Sequence, residues 1–480
     1  MRTYSFADIG SDSLYEHLYK SIKTDILQGG LHAGEKLPSK RSFAKNLGIS
    51  VITVENAYEK LIAEGYIYSI PKRGFYVTDF QDRTIPKPSP AVCETVRLTG
   101  GEPHYLADFS SNQTPSGLFP FTVWAKLVRE VLRDRQQALM TNPPSGGILP
   151  LRQAIADHLK AFRDMRVAPE QIIIGAGTEY LYGLLIQLLG MEKRYAVEDP
   201  GYRKISQIYK SHSVACEFVS MDACGIRVQE LEDKGVDVVH ISPAHHFPTG
   251  IVMPISRRYE LLSWASKAGS RYIIEDDYDS ELRLSGQPIP TLRSIDVSDK
   301  VIYMNTFTKT LASTIRISYM VLPQPLLRAY YETLSFYACT VSNFEQYTLA
   351  RFMEEGYFEK HMNRMRNYYH HKRDAVVRAI YDSPLKKYVT ISKEDAGLHF
   401  LMEIKTERTD QDFVRLLKER GVKLAPLSDY YAQIPHTAEH VFVMNYSSVD
   451  PDKIEEAVAR IYQCCALPAG GAKHAAAGRS

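Results

Sequence analysis

The sequence predicts two folds in one chain: a small α+β head over residues 1–79 and a large α/β domain with a mostly parallel sheet over residues 107–467. Three observations predict them. The first eighty residues run helix, short helix, tight turn, helix and two alternating strands. From Gln171 onward, short β-branched runs alternate with helical stretches, the pattern of a layered α/β sheet. Between the two lies Asp79 to Pro90, with three prolines and little periodicity, so residues 80–106 read as an extended linker.

In the head, Leu14, Leu18, Ile22 and Ile26 recur every fourth residue and mark one helical face. Gly29-Gly30 stops that helix. Ser39 offers an N-cap for a short helix from Lys40 to Leu47, with Phe43, Ala44 and Leu47 inward. Gly48 makes the turn. Ser50 caps the next helix, where Val54, Tyr58 and Leu61 face the core, and Gly65 ends it. Tyr66–Ile70 and Gly74–Val77 alternate as strands around Pro71-Lys72-Arg73. This order is a winged helix-turn-helix, a fold used for DNA and also for protein contacts. If it reads DNA, the helix after Ser50 enters the major groove with its N-terminus first, presenting Val51, Ile52, Thr53 and Asn56. Ser39, Lys40 and Arg41 meet the DNA backbone, and Lys72 and Arg73 extend the wing tip.

Bulk properties exclude several classes. The 480-residue chain is 44% hydrophobic and 24% charged, ordinary for a globular protein, and its net charge of +2 means that any DNA-binding surface is local. No basic-then-apolar leader opens it, and Tyr180–Met191 is too short to span a bilayer. The six cysteines show no CxxC spacing, so they read as reduced thiols of a cytoplasmic protein with no metal site. His245-His246 points to local hydrogen bonding. The Ala/Gly-rich tail, residues 468–480, reads as disordered.

The large domain offers strands at Ile172–Ile174, Tyr195–Val197, Val236–Ile241, Tyr272–Ile274, Val301–Met304 and Ser318–Leu322. Ligands of such sheets gather at the strands' carboxyl ends. There the first run is followed by Gly175-Ala176-Gly177-Thr178, a small-residue turn opening a helix and suited to an anion. The second is followed by Glu198-Asp199-Pro200-Gly201-Tyr202, whose tyrosine suits stacking on a flat ring or plain packing. Asp276 and Tyr278 follow the Tyr272 run, in a segment that alone reads as a solvated acidic loop. Lys309 lies just past the Val301 run, between Thr306, Thr308 and Arg316. An aldehyde cofactor held as a Schiff base needs this set: a lysine for the imine, an aspartate for a pyridinium nitrogen, and hydroxyls and a cation for a phosphate.

Five segments carry a resemblance. "LPSKRSFAKNLGISVITVENAYEKLIAEGYI" resembles the GntR family of bacterial regulators, and "IIIGAGTEYL", "VEDPGYRK", "RYIIEDDYDSE" and "TFTKTLASTIRISYMVLP" resemble fold-type-I aminotransferases. Together they resemble the MocR/GabR subfamily of GntR-type transcriptional regulators over nearly the whole chain. The resemblance implies pyridoxal 5'-phosphate joined to Lys309 as an internal aldimine, Asp276 on the pyridine nitrogen, Tyr278 on the phenolic oxygen and Tyr202 stacked on the ring. Gly177, Thr178, Thr306, Thr308 and Arg316 then surround the phosphate. It implies a cytoplasmic homodimer binding double-stranded DNA at paired half-sites, and an amino-compound effector sensed as an external aldimine. The alternative is an aminotransferase with an accessory DNA-binding head.

Departures from the pattern bear on the ligands. The GntR family usually has arginine after the capping serine, and here Val51 stands there; Val51 and Ile52 then suit thymine methyl groups. The aminotransferase Asn-Pro-Thr-Gly is Phe247-Pro248-Thr249-Gly250. The arginine that grips an α-carboxylate aligns with Val443. In a GABA-responsive member, two effector-facing arginines align near Lys204 and Asp429. An aspartate there repels a carboxylate, which points to an effector with a second amine or a hydroxyl. Arg351 to Arg366 reads as one helix suited to interdomain or dimer contacts or, for most of its residues, to a plain solvated face.

Overall fold

In a computed structural model the chain divides into two compact units, residues 1–101 and 102–480. The structure describes Tyr4, Phe6 and residues 12–79, 104–283, 290–393, 397–433 and 438–467. Most of the expected linker and all of the expected tail lie outside these residues. Residues 104–106 belong with the second unit, where the Leu106 amide donates to the Gly421 carbonyl at 2.7 Å.

The head contains α1 (Leu14–Leu27), β1 (Lys36–Leu37), α2 (Lys40–Leu47), α3 (Val51–Ala63), β2 (Ile67–Ile70) and β3 (Gly74–Val77). Its core joins Leu18, Ile22 and Ile26 of α1 to Phe43, Val54, Tyr58 and Leu61, all buried. Leu14, expected on the same face, is 42% exposed because it occupies the first helical turn, beyond the packed layer. The third strand was not expected. β1 pairs antiparallel with β3, and two residues are too few to show a period. Both predicted caps form: Ser39 Oγ accepts from the Ser42 amide at 3.2 Å and Ser50 Oγ from the Thr53 amide at 3.0 Å. Ser50→Ala is expected to cost α3 about 1 kcal/mol, read as roughly fivefold faster amide hydrogen exchange in that helix.

The second unit opens with β4 (Ala107–Asp108). Its main sheet is built from β5 (Ile172–Gly175), β6 (Arg194–Asp199), β7 (Ala215–Asp222), β8 (Gly225–Ile226), β9 (Val238–Ile241), β10 (Tyr272–Asp276), β11 (Val301–Thr306) and β12 (Ser318–Val321). The order is β5-β12-β11-β10-β9-β6-β7-β8. β7, β6, β9, β10 and β11 run parallel, while β12 runs antiparallel to both its neighbours. The central strands are buried almost throughout, which is why they read as unbroken apolar runs. Three of them continue past those runs: β6 to Asp199, β10 to Asp276 and β11 to Thr306. Their polar ends remain in the sheet and carry candidate site residues.

A smaller antiparallel sheet packs β13 (Val389–Ser392), β14 (His399–Ile404), β17 (Val441–Asn445) and β16 (Ala425–Pro426) in that order, and β15 (Val422–Lys423) returns to pair with β4. The segment from Arg351 to Arg366 is not one helix. Asn343–Glu354 ends, Gly356 takes a φ of +72°, and Tyr357–Asp382 begins. Cations of this segment are engaged within the unit: Arg351 bridges Asp134 at 2.7 Å, and Arg364 donates to the Leu118 carbonyl at 2.8 Å. No helix among the described residues is long and apolar enough to cross a membrane.

Candidate functional site

The carboxyl ends of β6, β9, β10 and β11 open on a cavity of about 450 Å³ that contains Lys309, Asp276, Tyr278, Tyr202, Thr178, Thr306, Thr308 and Arg316. The fold thus gathers side chains spread over about 140 residues of sequence. Lys309 follows β11 in the connection to β12. Burial lowers its pKa to about 8, against the pull of the Asp279 carboxylate. A tenth of the amine is therefore neutral near pH 7 and most of it near pH 9. Capture of an aldehyde by this amine is expected to speed up by about tenfold over that range, measured by stopped-flow absorbance with excess pyridoxal phosphate.

Asp276 ends β10 and is buried. Its Oδ2 accepts from the Tyr182 hydroxyl at 2.5 Å and lies 3.5 Å from His240 Nε2. Its Oδ1 is buried and has no hydrogen-bond partner among the described residues. Burial, then the Asp276 charge, raises the Tyr182 pKa far above its ordinary value, so the phenol keeps its proton and donates. A carboxylate with one oxygen anchored and the other bare suits an incoming N–H cation. The loop beyond is held from beneath. Arg163 donates to Asp277 at 2.6 Å, the Tyr303 hydroxyl to the same carboxylate at 2.8 Å, and Arg366 to the Glu281 carbonyl at 2.8 Å.

The opposite end suits an anion. Gly177 caps the helix Thr178–Leu189 with a φ of +93°, and a Cβ there would collide with the Arg316 guanidinium. Glycine is needed for both reasons. Thr306 Oγ1 donates to Thr308 Oγ1 at 2.8 Å and accepts from the Ser318 hydroxyl at 2.7 Å. A helix N-terminus, hydroxyls and a guanidinium converge there, as phosphate binding requires.

Tyr202 is 52% exposed and meets Phe247 edge-on at 6.1 Å. The Tyr278 hydroxyl lies 3.5 Å from His245 Nδ1, and burial raises its pKa far above the ordinary value. His245 pairs with Asp279 at 2.6 Å and His246 with Thr249 at 2.7 Å, so the adjacent rings serve different partners. Lys204 lines the cavity, ion-paired to Glu179. Asp429 is absent from the described lining; it borders two neighbouring clefts, while the next residue, Tyr430, faces the cavity. Val443 is buried in β17 against Leu401 and Leu427.

Several lining residues went unrecognised in the sequence. Tyr182 and His240 support Asp276 from a helix interior and a strand, where they read as core. Glu198 stands one residue before the Asp-Pro-Gly-Tyr turn, and its strand-end position was the available signal. Asn112 and Asn445 carry no local signal, because they meet only when the Asn445 amide donates to the Phe109 carbonyl at 2.9 Å. A further set joins the turn after β6 to the segment after β16. Asp199 accepts from the Ala432 and Gln433 amides at 2.8 and 3.0 Å, and Gly201 donates to the Tyr430 carbonyl at 3.2 Å.

In the head, Ser50, Val51, Ile52 and Asn56 are exposed at the start of α3, with Val51 at 42% and Ile52 at 67%. Thr53 is half-buried, its hydroxyl 2.8 Å from Ser50 Oγ. Arg41, Lys72 and Arg73 are exposed, with Lys72 at a φ of +63° in the wing turn. Lys40, beside Ser39, is engaged internally by Glu55 at 2.6 Å and by the face of Phe75.

Known proteins share both parts. The family described as "Bacterial regulatory proteins, gntR family" matches residues 14–77, and "Aminotransferase class I and II" matches residues 106–461. The chain is 36% identical to the uncharacterized HTH-type transcriptional regulator YdeL of Bacillus subtilis, covering 93% of this chain and 96% of that one. It is 29% identical to the probable rhizopine catabolism regulatory protein MocR of Rhizobium meliloti, covering 93% and 92%. The crystal structure of an archaeal alanine:glyoxylate aminotransferase superposes with a TM-score of 0.66 at 25% identity, covering 76% of this chain and 91% of that one.

Proposed function

Because this chain belongs to the aminotransferase class I and II family and, with its gntR-type head, to the MocR-type transcriptional regulators, we propose that it is a pyridoxal phosphate-binding regulator of transcription that senses an amino compound. The observation that carries this reading is the bare, buried Oδ1 of Asp276, in the same cavity as a lysine whose amine is held near neutrality.

When bound, pyridoxal phosphate supplies an aldehyde and an electron-withdrawing ring. Lys309 holds the aldehyde carbon. Asp276 Oδ1 would accept a hydrogen bond from the protonated ring nitrogen and keep it protonated, and the Tyr278 hydroxyl would donate to the phenolic oxygen. Gly177, Thr178, Thr306, Thr308 and Arg316 hold the phosphate. The effector would need a free amine, to compete with Lys309 Nζ for the aldehyde that the cofactor would supply. The regulator acts in the cytoplasm as a homodimer, with two heads reading paired half-sites, and closure around the effector biases their spacing.

The test is binding-site selection with the holoprotein, followed by titration of amines against the selected DNA. An amine that shifts both the cofactor spectrum and the DNA affinity supports the reading. Sustained amino transfer at ordinary enzyme rates would instead make the head an accessory to an aminotransferase. In the same selection, Val51→Arg is expected to change the preferred base at one position per half-site, by about 1–3 kcal/mol of discrimination. An unchanged site would remove Val51 from the recognition surface.

A further inference from the structure

With the cofactor-holding groups set aside, the charges left on the cavity wall cancel. Lys204 is ion-paired with Glu179, and that carboxylate also lies 3.5 Å from Arg316. Glu198 is buried, and burial holds its pKa up at about 8, so it is mostly uncharged at neutral pH. Its Oε2 accepts from the Ser242 amide at 3.0 Å. Apart from Lys309 and the paired Lys204 and Arg316, no lysine or arginine of the described lining is left to balance an effector carboxylate. A carboxylate brought here would lose its water without gaining an unpaired cation.

One side of the cavity is instead apolar. Phe247 meets Tyr430 at 5.2 Å and Tyr202 at 6.1 Å, both edge-on, and all three rings line the cavity. Leu401, Leu427 and Val443 back Phe247 and Tyr430 in one packed cluster. Edge-to-face rings of this kind favour an apolar or aromatic guest.

Resting on the regulator reading above, we propose that the effector is a primary amine with an apolar, ring-sized body and no carboxylate, its body seated on the wall of Phe247 and Tyr430. Selectivity against amino acids then arises from the missing counter-charge, and selectivity for bulk from the rings.

The test uses matched pairs on the full-length holoprotein: β-phenylethylamine against phenylalanine, and n-pentylamine against norleucine. The concentration of free base that half-shifts the cofactor spectrum is compared. Each amine is expected to act at a concentration at least about tenfold lower than its amino acid, since tenfold corresponds to one unsatisfied polar interaction of ordinary size. An amino acid that equals or beats its amine overturns the inference and leaves the regulator reading intact. A bound-cofactor spectrum that no amine alters, hydroxylamine included, overturns both. Phe247→Asn is expected to narrow the gap between phenylethylamine and methylamine by at least about threefold, as the ring wall is replaced by a polar amide. Should that variant lose the cofactor, Tyr430→Ser asks the same question. An unchanged gap in a cofactor-loaded variant overturns the assignment of the wall.

Discussion

Lys309→Ala is expected to abolish borohydride-fixed labelling by pyridoxal phosphate and to remove the visible absorption of the bound cofactor. Lys309 is the one lysine of the described cavity lining not ion-paired to a carboxylate there, and its amine is the nucleophile that burial holds near neutrality. The loss is not one of folding. The folded state keeps this amine with a pKa near 8 where the unfolded chain has about 10.5, so the folded state disfavours its charge. That penalty is fully present below about pH 8 and vanishes as pH rises through 10.5. The cofactor-free variant is therefore expected to melt no lower than cofactor-free wild type at pH 7, with any gain shrinking between pH 8 and 10.5. Differential scanning fluorimetry across that range measures it. Labelling that persists in the variant would assign the covalent bond to another lysine.

Asp276→Ala is expected to weaken pyridoxal phosphate binding by about 2–5 kcal/mol, roughly thirty- to several-thousand-fold in Kd. The carboxylate faces the cavity with one bare oxygen, while Tyr182 donates to the other and His240 lies 3.5 Å from it. Removing it strands both supports and takes away the counter-charge for a ring-nitrogen proton. Asp276→Asn keeps the shape and a carbonyl for Tyr182 but loses the charge, so it should fall between wild type and alanine. Cofactor fluorescence titration orders the three proteins. Equal affinities would place the ring nitrogen elsewhere.

These two residues were readable because each ends an apolar run at a sheet's carboxyl edge, where chain direction alone implies convergence. The continuation of β10 to Asp276 and of β11 to Thr306 was not readable. Polar residues kept in a ladder by tertiary pairing look like loop. The antiparallel course of β12 was equally hidden, since a strand buried on both faces shows no direction in its composition. The break between Asn343–Glu354 and Tyr357–Asp382 had a signal in Gly356, outweighed by the cations around it. Asp429 shows the limit of alignment by neighbouring motifs. The short helical turn Leu427–Tyr430 aims Tyr430 at the cavity and sends Asp429 outward, and a one-residue shift decides which side chain arrives.

The antiparallel return of β12 beside β11 has one more consequence. Lys309 and Arg316 sit on a link between strands adjacent both in the sheet and along the chain, so a short covalent tether limits how far apart they move. Asp276 reaches them only through the intact parallel ladder. A molecule whose sheet has begun to come apart would still hold its amine near its guanidinium after parting from its carboxylate. Such a frayed molecule would go on scavenging phosphorylated aldehydes while being unable to keep a ring nitrogen protonated, so in partly denatured samples aldehyde uptake would overcount the competent fraction.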